Sequence, residues 1–336
     1  MNLSNTRRKF LIDFAALGAG FSLSTLPIMG KEQPVSPGKR VGIIGLDTSH
    51  SLAFSKVLNA ADASLELKGY KVVAAYPYGS RTIASSAKRI PGYIDEMKSL
   101  GVRIVDSIAE LLEQVDVVLL ETNDGRLHLE QALPVFKAGK RLFIDKPIAA
   151  SLADAKAIFE ASERYGVPTF SSSSLRYLEN IPDLKSGKLI GSITGVDAFA
   201  PATLEPSHPD LFWYGIHGIE ILYAVLGTGC QEVRRIYAAE TDIVVGTWTD
   251  GRVGVFRGLR SGKNGYGGMA YGEKGQAVIG KYSGYLPLLY RIVEYFDTGV
   301  VPVSPAETLE LVAFMEAADL SKRKGGGPVN VQKLLS

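Results

Sequence analysis

A lysine locked against a proline, Lys146-Pro147, follows the apolar run Arg141-Leu-Phe-Ile144. Open α/β sheets gather their ligands at the carboxyl ends of strands, so a lysine placed there is a candidate acid/base. The residues ahead of it set up that placement. Val117–Leu120 is a short β-branched and aliphatic run suited to a strand buried on both faces. A polar turn over Glu121–Gly125 leads to apolar residues at helical spacing, Leu129, Ala132, Leu133 and Phe136, and Gly139 is placed to end that helix. Strand, helix and strand in this order predict parallel neighbours joined by a right-handed crossover.

The first strand predicts a phosphate-binding turn of unusual composition. It runs Val41-Gly-Ile-Ile44-Gly45, then Leu46-Asp47-Thr48-Ser49-His50. A dinucleotide fingerprint uses three glycines: one to turn, one to admit the pyrophosphate, one to let helix and strand pack closely. Gly45 matches the first, while Asp47 and His50 stand at the second and third. The following helix N-terminus still offers free amides and the positive end of its dipole, and Thr48 and Ser49 add hydroxyl donors. Asp47 is expected to turn away from the phosphates and cap the helix. The competing reading is a loop that no longer takes a dinucleotide. At the end of the second strand, Ala75-Tyr-Pro-Tyr-Gly79-Ser80-Arg81 lacks the acidic residue that binds a ribose. Ser80 and Arg81 would tolerate a 2′-phosphate, which tips the expectation from NAD toward NADP.

This region resembles the Gfo/Idh/MocA oxidoreductases. Asp145-Lys146-Pro147 is similar to that family's Glu-Lys-Pro, and Thr122-Asn123 with His128 resembles its Thr-x-Asn loop and the histidine opening the next helix. The resemblance runs from about Arg40 to the C-terminus. It implies that Thr122, Asn123, His128, Asp145 and Lys146 serve the cofactor site. Further on, Trp213-Tyr214-Gly215-Ile216-His217 resembles the family's Asp-x-Gly-x-His segment, with Trp213 in place of the aspartate. His217 then matches the histidine that contacts the hydroxyl being oxidised, and Lys146 and His217 become the catalytic pair. Arg176-Tyr177 matches an arginine-aromatic pair at the domain junction that positions substrate. Trp213 and Tyr214 offer flat faces for a pyranose ring. The resemblance also implies a homo-oligomer, dimer or tetramer, formed through an open sheet.

The elements that must position these residues alternate along the chain. After Arg40–Ile44, apolar strands at Val72–Ala75, Arg103–Val105, Val117–Leu120, Leu142–Ile144 and Pro168–Ser171 alternate with helices, which predicts a doubly wound parallel sheet. From Thr194 the texture changes to closely spaced strands, Thr194–Ala198, Glu232–Tyr237, Asp242–Trp248 and Arg252–Leu259, then helices over Leu286–Phe296 and Pro305–Arg323. Gly258–Gly280 reads as a mobile hairpin near the site. The fold expected is α/β: a Rossmann domain over residues 40–165, then a C-terminal α+β domain over 166–336 with a large, mainly antiparallel open sheet.

At 336 residues the chain is long enough for two domains. Residues 1–30 read as a twin-arginine export signal, with Arg7-Arg8-Lys9 ahead of a weakly apolar, glycine-broken run, and residues 31–39 as a linker. Removing 1–30 takes Arg7, Arg8 and Lys9 against Asp13, so the formal charge of +2 falls to zero. A neutral mature chain argues against nucleic acid or a membrane surface as partner. Cys230 is the single cysteine, which excludes an internal disulfide despite the oxidising, periplasmic destination. There is no Gly-x-Ser-x-Gly elbow and no P-loop. His208, Asp210, His217 and Glu220 lie near one another in sequence without a recognised ligand spacing, and no metal is expected there.

These readings converge on an exported NAD- or NADP-dependent oxidoreductase acting on a sugar or polyol hydroxyl. Its cofactor would be bound tightly enough to cross the membrane with the folded protein and be recycled on the enzyme. Two alternatives stand beside it. One is a glycoside-cleaving enzyme that uses transient oxidation and no net redox change. The other is a non-catalytic sugar-binding protein on a decayed Rossmann scaffold.

Overall fold

The structure is a computed structural model that describes residues 38–336. The export-signal reading of residues 1–30, and the linker up to residue 37, lie outside the described residues. The elements run β1 (Arg40–Ile44), α1 (Ser49–Asn59), β2 (Lys71–Tyr76), α2 (Ala84–Ser99), β3 (Arg103–Ile104), α3 (Ile108–Gln114), β4 (Val117–Leu120), α4 (His128–Lys137), β5 (Arg141–Ile144), α5 (Leu152–Arg164) and β6 (Thr169–Ser171). Then come α6 (Ile181–Lys185), β7 (Ile193–Pro201), α7 (Asp210–Trp213), α8 (Ile216–Leu226), β8 (Cys230–Ala238), β9 (Thr241–Trp248), β10 (Val253–Leu259), β11 (Gly267–Gly272) and β12 (Gly275–Ile279). The chain ends with α9 (Leu286–Thr298), α10 (Pro305–Arg323), β13 (Val329–Asn330) and α11 (Gln332–Leu335).

The first six strands form one parallel sheet in the order β3-β2-β1-β4-β5-β6. The order reverses between β1 and β4, the topological switch point at which such sheets open a ligand crevice. Strand β4 pairs with β1 and β5 and is buried throughout, as its unbroken Val-Val-Leu-Leu run requires. Successive residues point to opposite faces, so two cores result. Val41, Ile43, Val117, Leu119 and Phe143 face one side, and Ile44, Val118, Leu120, Leu142 and Ile144 the other.

The second sheet has the order β12-β11-β7-β10-β9-β8-β13 and is antiparallel except for the β7–β10 pair. That pair is parallel because α7 and α8 intervene between β7 and β8 and carry the chain back over one face. All of α8 is buried, matching its apolar sequence Ile-His-Gly-Ile-Glu-Ile-Leu-Tyr-Ala-Val-Leu. Gly218 allows it to approach: a Cβ there would lie 2.2 Å from the Phe256 ring. Gly258–Gly280 supplies the end of β10 and the hairpin β11–β12.

Helix α9 crosses back to the parallel sheet. Its Leu288, Ile292, Val293, Tyr295 and Phe296 complete the core that holds Val41, Phe54 and Phe143. Ser304 caps α10 by accepting from the Glu307 amide at 3.1 Å, with Pro305 at the first helical position. Among the described residues no helix is long and apolar enough to cross a membrane.

Candidate active site

One wall of the site is built from three loops at the carboxyl ends of β1, β2 and β4. Gly45 makes the first turn at φ +90°, and a Cβ there would meet Thr122 atoms at 2.5–2.7 Å, so glycine is required both by backbone conformation and by space. Asp47 does not cap α1: the N-cap is Thr48, with no side-chain cap hydrogen bond. Fully buried, the Asp47 carboxylate accepts instead from the Ser80 amide and from the Asn123 amide, each at 3.0 Å. Those two donors satisfy it better than the helix amides, and they tie the three loops together. Burial pushes its pKa up to about 6 against the pull of those bonds. Gly79 makes room for it, since a Cβ there would lie 2.2 Å from Asp47 Oδ2.

The question for a nicotinamide dinucleotide is whether position 47 leaves room for a pyrophosphate. The Asp47 carboxylate points toward the β2 and β4 loops and not over the α1 N-terminus. The first-turn amides of α1 therefore keep their role as anion donors, with Thr48 and Ser49 beside them. The Thr48 hydroxyl is buried and, among the described residues, without a hydrogen-bond partner, a donor ready for a ligand oxygen. The turn fits such a cofactor.

Lys146 and Asp145 follow β5. The Asp145 amide extends the pairing to Leu120 at 2.8 Å, and the Lys146-Pro147 bond is cis. Asp145 Oδ1 lies 2.9 Å from His50 Nδ1, and Oδ2 lies 3.8 Å from Lys146 Nζ. Burial acts to raise the Asp145 pKa, but the His50 and Lys146 charges outweigh it and hold the carboxyl well below the usual range. From the other half of the molecule, His217 enters in the first turn of α8, its Nδ1 2.7 Å from Ser173 Oγ. Burial, with Lys146 and His50 nearby, holds its pKa well below the usual histidine value, so it is neutral at physiological pH.

Lys146 and His217 meet across one cleft of about 670 Å³, together with Thr48, Ser49, His50, Asn123, Trp213 and Tyr214. Its walls include residues that motif reading missed: Arg89 and Tyr93 from α2, and Tyr266, Tyr282 and Tyr285. Tyr285 packs edge-on to His50, with ring centres 4.4 Å apart, and Tyr214 and Tyr266 share a 3.2 Å hydroxyl contact. Of the last three, Tyr266 falls within the glycine-rich run Gly258–Gly280, while Tyr282 and Tyr285 follow beyond it and carry no motif of their own. An aromatic wall studded with hydroxyls and two proton-carrying groups suits a polyhydroxylated ring.

The other predicted residues are placed apart from this cleft. His128 is fully buried with Nε2 2.6 Å from the Thr122 carbonyl and Nδ1 3.0 Å from that of Ile148, so it fastens loops. Thr122 Oγ1 donates to Gln131 at 2.6 Å. Ser80 Oγ accepts from the Thr82 and Ile83 amides at 3.3 and 3.2 Å, leaving Arg81, stacked on Tyr78, at a separate hollow beside the end of β2. Arg176 does not face the cleft. It is buried against Glu220, at 2.6 Å, and Glu307, and with Tyr177 it borders a hollow on another side. Its charge is consumed by those two carboxylates, which hold its pKa above the ordinary value although burial opposes them. His208, Asp210, His217 and Glu220 do not gather either. His208 lies 3.3 Å from Asp124, Asp210 pairs with Arg235 and Lys322, and Glu220 with Arg176.

Residues 39–172 match the model of the Gfo/Idh/MocA family, described as an oxidoreductase family with an NAD-binding Rossmann fold. That match covers the parallel-sheet domain, and it is this domain that is similar to the family. Among relatives, it is 34% identical over 96 residues to a 1,5-anhydro-D-fructose reductase of Ensifer adhaerens, spanning 28% of each chain. It is 24% identical over 196 residues to a myo-inositol 2-dehydrogenase of Thermotoga maritima, covering 50% of this chain and 58% of that one. The chain thus aligns with less than two thirds of the length of either relative. Its fold is similar to that of a solved probable dehydrogenase from Thermotoga maritima, with a TM-score of 0.72 at 20% identity over 88% of this chain and 99% of the other.

Proposed function

We propose that the protein oxidises a sugar or polyol hydroxyl, or reduces the corresponding carbonyl, with NAD or NADP. The observation that carries this reading is the meeting of Lys146 and His217, from two different sheets' surroundings, in one aromatic-lined cleft beside the α1 N-terminus. The dehydrogenase and reductase named among the relatives act on ligands of that chemical class.

The α1 amides, Thr48 and Ser49 would hold the pyrophosphate, and Asn123 and Lys146 would border the nicotinamide end. A nicotinamide bound there supplies the hydride acceptor or donor. Lys146 exchanges the hydroxyl proton at Nζ, and neutral His217, fixed by Ser173, holds the same oxygen through its other ring nitrogen. The tyrosines and Trp213 exclude water and orient the ring. NADP is placed ahead of NAD because no carboxylate ends β2, while Arg81 stands there. Export through the twin-arginine route, tight retention and on-enzyme recycling of the cofactor, and a homo-oligomer belong to the same proposal.

Replacing Lys146 by Met tests the assignment. Turnover of an active polyol should fall by roughly 10²–10⁴-fold while ligand affinity stays within a few-fold. Unchanged turnover would remove Lys146 from the chemistry, and equal loss of affinity and rate would make it a binding group.

A further inference from the structure

Beneath Lys146, three side chains from three elements converge. His50 comes from the first turn of α1, Glu121 follows β4 and Asp145 follows β5. One donor atom from each lies within 4.8 Å of the other two, and all three residues are buried. His50 Nδ1 is 2.9 Å from Asp145 Oδ1 and 3.9 Å from Glu121 Oε2.

Among the described residues, neither oxygen of Glu121 nor Oδ2 of Asp145 has a hydrogen-bond partner, and both residues are fully buried. Native interiors rarely leave carboxylate oxygens in that state, because each forfeits its hydration without replacement. Among the described residues, the cation recorded within ion-pair range of these two carboxylates, apart from His50, is Lys146, at 3.8 Å from Asp145 Oδ2. It reaches one carboxylate and leaves Glu121 unmatched.

We propose that His50, Glu121 and Asp145 bind a divalent first-row transition-metal ion. Bonds of about 2.1 Å place neighbouring donors roughly 3.0 Å apart in an octahedron and 3.4 Å in a tetrahedron. The spacings of 2.9 and 3.9 Å bracket those values, so small side-chain shifts close the shell. The imidazole nitrogen disfavours calcium and magnesium, which take oxygen donors, and the two carboxylates disfavour copper(I). Zinc and manganese are the ions that this mixed set suits. The ion would pin α1 to the ends of β4 and β5, the three elements that frame the cleft. This inference rests on the buried donors and not on the proposed redox reaction.

The test uses the full chain, stripped with a chelator and freed of nucleotide and substrate, then titrated with Zn²⁺ alone and with Mn²⁺ alone. Calorimetry and elemental analysis should give about one ion per chain, with a rise in melting temperature. Glu121→Gln and His50→Asn should each weaken binding by at least 10–100-fold and abolish the thermal shift. No binding by the wild type would overturn the proposal and leave Glu121 as a protonated carboxyl. Binding unchanged in both variants would overturn it equally, as the mark of an adventitious surface ion. If a variant fails to fold, Co²⁺ loading of the wild type decides: visible ligand-field bands of a mixed nitrogen-oxygen site support the assignment, and the spectrum of the hydrated ion refutes it.

Discussion

At the scale of single residues, the site depends on two positions whose constraints are steric and electrostatic. Gly45→Ala would force φ +90° on an L side chain and drive its Cβ to 2.5–2.7 Å from Thr122. A loss of about 2–4 kcal/mol is expected, read from urea unfolding, together with lost nucleotide binding. Asp47 gives a pH dependence. Its pKa of about 6 in the fold exceeds the ordinary 3.8, so the native state holds a proton that the unfolded chain has released. Between pH 4 and 6 stability conferred by this group therefore falls as pH rises, by roughly 3 kcal/mol in all. Measured against Asp47→Asn, which does not titrate, the wild type should lose ground between pH 4 and pH 7. A constant difference would contradict the burial argument. The placement of Lys146 at a strand end was legible in local sequence, and that of His217 at a helix start in the resemblance of Trp213–His217 to the family segment. The partners of Asp47 were not, since Ser80 and Asn123 lie 33 and 76 positions away.

At the scale of elements, Arg176 shows how a motif misleads when its neighbours come from afar. Its carboxylates arrive from α8 and α10, 44 and 131 residues along the chain. The pair Arg-Tyr therefore looks like a substrate clamp in sequence and is an interior ion-pair network in the fold. Arg176→Met would leave Glu220 buried without its cation, at a cost of about 3–5 kcal/mol. Thermal unfolding should show this, while the Michaelis constant of the fraction still folded stays near wild type. A raised Michaelis constant with unchanged stability would restore the substrate role. The alternation of strands and helices up to β6 was readable because buried parallel strands are unbroken apolar runs. The return of α9 to the first sheet was not, since a helix's apolar stripe does not say which sheet will receive it. The parallel β7–β10 pair escaped for a similar reason, as a helix start at His217 does not say where in the sheet the following strands will be laid down.

At the scale of the whole molecule, one face of the second sheet is uncovered among the described residues. Strand alternation puts α8 and α10 against the inner residues and leaves Phe199, Ile236, Val253, Tyr271 and Val278 exposed, Ile236 at 69% and Val278 at 65%. Such an apolar spread on an open sheet is the surface through which a homo-oligomer would form. Wild-type protein should sediment as a dimer or tetramer, and Ile236→Lys with Val278→Lys should lower its mass toward the monomer. A wild type that is monomeric at every concentration would contradict that expectation.

That this cleft holds a nicotinamide cofactor for a hydroxyl oxidoreductase is open to direct test. Its most direct measurement is to purify the chain without residues 1–30, denature it, and identify released nucleotide by mass and absorbance. NAD or NADP is expected in near-stoichiometric amount, or taken up from added excess, with reduction of the bound nicotinamide when a polyol substrate is supplied. Neither release nor uptake of any nicotinamide nucleotide by folded protein would contradict it.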